Sequence, residues 1–177
     1  MRKRAIAAAT AAAALTFAVA ADAHVVADPN QAAAGANFRT AFRVPHGCDG
    51  AATVAVRIHI PDGVFSVKPQ MKAGWTAEVV MRRLDKPVDL GHGRTATETV
   101  SEVVWRGGPL PDGEFDEFGL VMKLPAQAGA TIYFPTVQQC ETGERRWVEI
   151  PAANDPSGHL HSPAPAVKLT EGGHGGH

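Results

Sequence analysis

The chain has 177 residues, with 17 Lys and Arg against 18 Asp and Glu, so its formal net charge is −1. After the first four residues there is no basic block suited to neutralising phosphates, which argues against a nucleic-acid partner. The length suits one domain with a single hydrophobic core.

The first 23 residues have the pattern of a signal peptide. Basic residues at 2–4 precede an uncharged, Ala-rich run, and the triplet Ala21-Asp22-Ala23 offers the small residues that the signal peptidase reads. A permanent membrane anchor would need about 20 predominantly apolar residues, and this run is shorter and dominated by Ala. We therefore predict a signal peptide over residues 1–23 and a periplasmic or secreted mature chain without a transmembrane segment.

Cleavage after Ala23 would make His24 the N-terminal residue of the mature protein. Its α-amine and its ring Nδ1 can then close a six-membered chelate on one metal ion. Cu(II) suits this pair because it stands highest in the divalent affinity series and prefers nitrogen and oxygen ligands. The reference pKa of an α-amine is about 7.7–8.0, so copper displaces only a weakly held proton near neutral pH. The alternative is that His24 merely follows the cleavage point.

Apolar residues that recur with period two predict short β-strands from Val25 onward. Phe38, Phe42 and Val44, for example, fall on one face of a run that ends at a proline. Seven or eight such runs, each bounded by Gly, Pro or Asp, indicate an all-β fold. We predict a single β-sandwich of immunoglobulin or cupredoxin type over residues 24–151. The expected strands are 25–28, 38–44, 54–60, 77–81, 100–105, 118–124, 131–137 and 146–150.

The segment from 152 to 177 is rich in His, Gly and Pro and predicts a flexible, disordered tail. A short apolar stretch at 166–169 could dock on the domain as an edge strand. His159, His161, His174 and His177 are expected to scavenge metal at most. The terminal Gly-Gly-His lacks the free amine that makes this triplet a strong chelator at an N-terminus.

Cys48 and Cys140 are the two cysteines of the chain. Thiols in an oxidising compartment tend to be paired, so export predicts a disulfide between them. The alternative is a thiolate copper site, which is poorly supported because no His lies at short spacing around both cysteines.

The remaining aromatic and histidine side chains have simpler interpretations. Trp75 and Trp105 are expected in the core. His59 is expected on the exposed face of its strand, and His92 lies between glycines in a loop.

Eight short motifs follow one another in a specific order and spacing. They are Ala-His-Val at 23–25, Phe-Arg-Val-Pro at 42–45, Ile-Pro-Asp-Gly at 60–63, Lys-Ala-Gly-Trp at 72–75, Val-Trp-Arg-Gly-Gly at 104–108, Glu-Phe-Asp-Glu-Phe at 114–118, Phe-Pro-Thr-Val-Gln at 134–138 and Gly-Glu-Arg-Arg-Trp at 143–147. This succession resembles the YcnI family of exported bacterial copper-binding domains across essentially the whole mature domain.

The resemblance implies a β-sandwich that binds Cu(II) through a single-histidine brace. The ligands in that family are the amine and ring of the N-terminal His and a Glu carboxylate just after a Val-Pro turn, with a Trp beside the metal. The His corresponds to His24 and the Trp to Trp147. The Glu position holds Gly47, so a ligand is missing, and His46 is the best substitute. The alternative is that His46 is a solvated turn residue and that water or another group completes the site.

These features favour an exported Cu(II)-binding protein, not an enzyme, that buffers copper or delivers it to another periplasmic or membrane copper-handling protein. One alternative is an oxidative enzyme of monooxygenase type, in which His46 would imitate the second histidine of such sites. The other is a structural adhesion module in which His24 is incidental. No Ser/His/Asp arrangement, P-loop or dinucleotide fingerprint supports another class of enzyme.

Overall fold

Twelve β-strands form three sheets in the computed structural model, which describes residues 24–91, 93–152 and 159–172. The strands are β1 (Val26–Asp28), β2 (Gln31–Ala33), β3 (Asn37–Val44), β4 (Thr53–His59), β5 (Phe65–Pro69), β6 (Trp75–Asp89), β7 (Thr95–Leu110), β8 (Asp116–Lys123), β9 (Thr131–Tyr133), β10 (Thr136–Cys140), β11 (Glu144–Trp147) and β12 (Ala166–Thr170). The signal peptide predicted over residues 1–23 lies outside the described residues, as do His92, His174 and His177. None of the described residues forms a helix, so that part of the chain offers no helical segment able to cross a membrane.

The two larger sheets are the layers of a β-sandwich. One has the strand order β1-β3-β8-β5 and the other β11-β10-β4-β7-β6. Buried side chains from both sheets form one core, in which Trp105 of β7 meets Phe118 of β8 edge-on at a centroid distance of 5.5 Å. The predicted all-β sandwich is therefore confirmed.

Period-two alternation places the core as the sequence predicted. Phe42 and Val44 on β3 are fully buried, and so are Val56 and Ile58 on β4, whereas His59 at the end of β4 is exposed. Trp105 is fully buried, and the half-buried Trp75 packs against the core beside Phe118.

β2 and β5 were not predicted, and the expected strand 146–150 is found at Glu144–Trp147. Two further features of the strands differ from the prediction. The expected strand 131–137 is divided into β9 and β10, because the chain passes there from pairing with β12 to pairing with β4 and β11, and Pro135 at this point has no N–H to donate. β6 and β7 extend well beyond 77–81 and 100–105 as a long hairpin. The parts of the hairpin beyond 77–81 and 100–105 are mostly exposed, so they carry no continuous buried face that a period-two pattern could reveal.

The largest correction concerns the C-terminal segment. β12 lies in the middle of the third sheet, parallel to β2 and antiparallel to β9. Val167 and Leu169 are fully buried in the common core. The expectation of an edge strand is therefore wrong, and the predicted tail over 152–177 does not hold for Ala166–Thr170, because these alternating apolar side chains complete the core.

Candidate metal centre

His24 lies two residues before β1, at the end of the four-stranded sheet. β1 pairs antiparallel with β3, and the buried side chains of Val25 and Ala27 fix this short strand to the core. Because Val26 pairs with Arg43, continuing the same register sets His24 opposite Pro45. The first residue of the domain is thus held by its neighbours, half-buried, next to the turn that follows β3.

The imidazole of His24 packs against Trp147. The two ring centroids are 5.5 Å apart and the ring planes meet at 67°, an edge-on contact. Trp147 ends β11, where it pairs with Thr136 of β10, and only 2% of it is exposed. The fold therefore brings together two residues that lie 123 positions apart and that the sequence analysis placed in one site. Their role as metal site residues stays a prediction.

Gln138 connects this pair to the turn that carries His46. It is fully buried on β10, where its Oε1 accepts a hydrogen bond from Trp147 Nε1 at 3.2 Å. Its Nε2 donates to the His46 carbonyl oxygen at 2.6 Å and to Thr53 Oγ1 at 2.8 Å. Gln138 was not predicted from the sequence, although a polar residue at an inward position of an alternating strand indicates a buried hydrogen-bond partner. One amide thus holds both the tryptophan and the backbone of the turn.

The turn that carries His46 is closed by a disulfide and by backbone hydrogen bonds. Cys48 is bonded to Cys140 at a Cα–Cα distance of 6.0 Å, which confirms the predicted pairing. Cys48 and Ala51 exchange N–H···O bonds of 2.9 Å in both directions. His46 Nδ1 lies 2.7 Å from the Gly47 carbonyl oxygen. Since a carbonyl can only accept, Nδ1 carries the proton in this contact, and the lone pair of the neutral ring is on Nε2.

Gly47, the position at which the resemblance implies a Glu ligand, has no room for a side chain in this structure. A Cβ atom at position 47 would lie 2.1 Å from the backbone oxygen of Ala51, far inside contact distance. The same position is 2.9 Å from Asp112 Oδ1. No residue larger than glycine fits this turn unchanged, and a carboxylate from another loop lies beside it. Asp112 was not singled out from the sequence, because Pro-Asp-Gly reads as an ordinary turn.

The possible metal ligands at this end of the sheet suit a site built on the N-terminal residue better than a site built from side chains alone. Among residues 24–91, 93–152 and 159–172, no three His, Cys, Asp or Glu side chains converge on a possible ion position. A brace needs fewer side chains, because an N-terminal His supplies two nitrogens itself. The available chelating pair is the His24 amine and Nδ1. His46 follows Pro45, the residue opposite His24, and Asp112 lies beside Gly47, so both are on turns next to this end of the sheet.

A family model described as "Domain of unknown function (DUF1775)" matches residues 24–169. The chain belongs to this family. YcnI-like proteins are DUF1775 domains, so the resemblance is confirmed at the level of the domain family. The match begins at His24 and extends into β12, in agreement with the place of that strand in the core.

A solved structure supports the same fold. The crystal structure of an uncharacterized protein from Nocardia farcinica, described as revealing an immunoglobulin-like fold, is 32% identical to this DUF1775 domain with a TM-score of 0.64. The similarity covers 83% of this chain and 98% of that protein. Among curated protein sequences, none matches this chain significantly.

Proposed function

We propose that this DUF1775 domain is exported and binds one Cu(II) ion through the α-amine and the ring of His24. The contact of His24 with Trp147 is the observation that carries the proposal most directly. A short N-terminal strand with two buried anchors would hold the amine in place before the metal arrives. Preorganisation of this kind lowers the entropy lost on binding.

Cleavage after Ala23 would release the amine, and the chelate then needs a further ligand. His46 can supply an imidazole nitrogen through Nε2, because a ligating histidine commonly donates its other N–H to a carbonyl, as Nδ1 does to Gly47 here. Asp112 can instead supply a carboxylate, which would also offset the charge of Cu(II). We favour His46, since imidazole is a better match for copper.

Trp147 serves as a wall of the site and not as a ligand. Its indole nitrogen carries a proton that it donates to Gln138, so it has no lone pair to offer a metal. A buried ring against His24 covers one side of the ion and limits the access of other molecules to it. Such shielding suits a protein that buffers or delivers copper to a periplasmic or membrane partner.

The decisive experiment is a Cu(II) titration of protein that begins at His24, compared with the same protein after acetylation of its N-terminal amine. Acetylation turns the amine into an amide, so we expect tight binding to be lost while the fold is retained. His59→Ala in the protein beginning at His24 is the matched control, because this exposed histidine lies on another strand. Equal affinity with and without the acetyl group would place the copper site elsewhere.

The third ligand can be identified by comparing His46→Ala with Asp112→Asn. We expect His46→Ala to weaken Cu(II) binding and to remove one coordinated nitrogen from the electron paramagnetic resonance spectrum, with little effect of Asp112→Asn. The opposite ranking would assign the position to the carboxylate. Peroxide production by the reduced copper protein tests the oxidative alternative, and we expect none above that of free copper.

A further inference from the structure

His159 and His161 form a second pair of candidate ligands on the segment that leads into β12. Both are exposed, and their rings meet edge-on with centroids 5.3 Å apart and planes at 86°. Neither belongs to the site around His24. We propose that this pair binds a second divalent metal ion, Cu(II) most tightly, in a weaker and more exchangeable site.

The spacing of the two rings suits one shared ion. With a metal–nitrogen distance of about 2.0–2.1 Å, each ring centroid lies about 3.2 Å from the metal, and centroids at this separation subtend about 110°. Imidazole nitrogens bind first-row divalent ions, and Cu(II) stands highest in the affinity series. Small rotations of two exposed rings bring this angle toward the 90° that Cu(II) prefers.

Neighbouring hydrogen bonds fix the chain directly after the pair. Glu149 N donates to the Ser162 oxygen at 3.0 Å, and Ser162 N donates to Glu149 Oε2 at 2.9 Å. Ala164 N donates to the Glu149 oxygen at 2.8 Å. His161 is therefore attached to an ordered bridge, which reduces the entropy that must be lost when a metal is bound.

The binding should be weaker than at His24 for a structural reason. Each imidazole of the pair supplies one nitrogen and they form no small chelate ring, whereas the amine and ring of His24 close one. No third His, Cys, Asp or Glu converges with the pair within the described residues, so water would fill the other positions. Glu149, the carboxylate on the bridge, already accepts a hydrogen bond from Ser162.

The position of the pair suits a role in supplying copper to the site at His24. This role rests on the proposed function. Glu149 follows Trp147 by two residues and is bridged to the segment that contains Ser162 and precedes β12. From the reach of an extended chain and the spacing of paired strands, the Cα atoms of Trp147 and His161 are at most about 16 Å apart. A loosely held ion at the pair would therefore lie close to the tight site and could load it.

The test uses the full mature chain with its N-terminal amine acetylated, which blocks the chelate at His24, and with His174→Ala and His177→Ala, which remove the terminal histidines. Cu(II) titration of this protein should give one equivalent and should broaden the ring proton signals of His159 and His161 first. Adding His159→Ala and His161→Ala should abolish that equivalent, whereas adding His59→Ala should leave it.

Two results would overturn the second site: no bound equivalent in the first protein, or an equivalent that survives the double substitution. The proposed function is tested separately, because the tight site is measured in protein that begins at His24 and carries His159→Ala and His161→Ala. That protein should keep one tight equivalent. Each site can thus fail without the other.

Discussion

Replacing Gln138 with Leu should destabilise the domain strongly and weaken the proposed copper site. Leu is close to Gln in size, so the main change is the loss of three hydrogen bonds, to Trp147, to His46 and to Thr53. The indole N–H of the buried Trp147 would be left without its acceptor, which costs about 1–3 kcal/mol. Each of the two other bonds contributes about 0.5–1.5 kcal/mol, so we expect a total loss of about 2–6 kcal/mol.

Guanidinium denaturation of the oxidised mature protein, followed by tryptophan fluorescence, measures this loss. Gln139→Leu is the matched control, since the neighbouring half-buried glutamine points to the other face of β10 and its replacement should change stability by about 0.5 kcal/mol at most. Cu(II) affinity should fall in Gln138→Leu, because Trp147 and the His46 turn lose their common tether. A stability loss below about 1 kcal/mol would refute the role given to this amide.

Three other sets of substitutions test the disulfide, the turn at Gly47 and the buried position of β12. Replacing Cys48 and Cys140 with Ser should lower the free energy of unfolding by about 4–5 kcal/mol on the chain-entropy model, given their separation of 92 residues, and chemical reduction should give the same loss. Gly47→Glu, which restores the carboxylate of the related family, should cost about 3 kcal/mol through its clash with a backbone oxygen and should not tighten copper binding. A stable Gly47→Glu variant with higher copper affinity would contradict the steric explanation. Leu169→Ala should cost about 2–5 kcal/mol in thermal or chemical denaturation, whereas Lys168→Ala on the exposed face should be nearly neutral, and equal losses would argue against the buried position of β12.

The sequence predicted those parts of the fold in which burial and local pattern agree. Phe42, Val56 and Ile58 recur with period two because one face of each strand is buried. The disulfide followed from export and from the presence of one possible pair. β6 escaped recognition over most of its length, because its stability comes from pairing with β7 and not from a buried face of its own.

Only part of the candidate metal centre could be predicted from the sequence. His24 and Trp147 were identified through a resemblance, and no local pattern joins residues so far apart. Gln138 and Asp112 were missed for the same reason, since each acts across strands or turns that are distant in the chain. A polar side chain in an apolar strand indicates that it has a buried hydrogen-bond partner, but the sequence does not say which residue that partner is.

The pairing of β2 with β12 means that the two ends of the domain depend on each other. β1 and β2 are separated by only two residues, yet β1 pairs with β3 near the start of the chain and β2 pairs with the last strand. The partner of β2 thus follows every other strand of the described residues. β2 therefore reaches its final place only once β12 has been added, and a protein shortened before Ala166 would leave β2 without its parallel partner directly after the strand that follows His24.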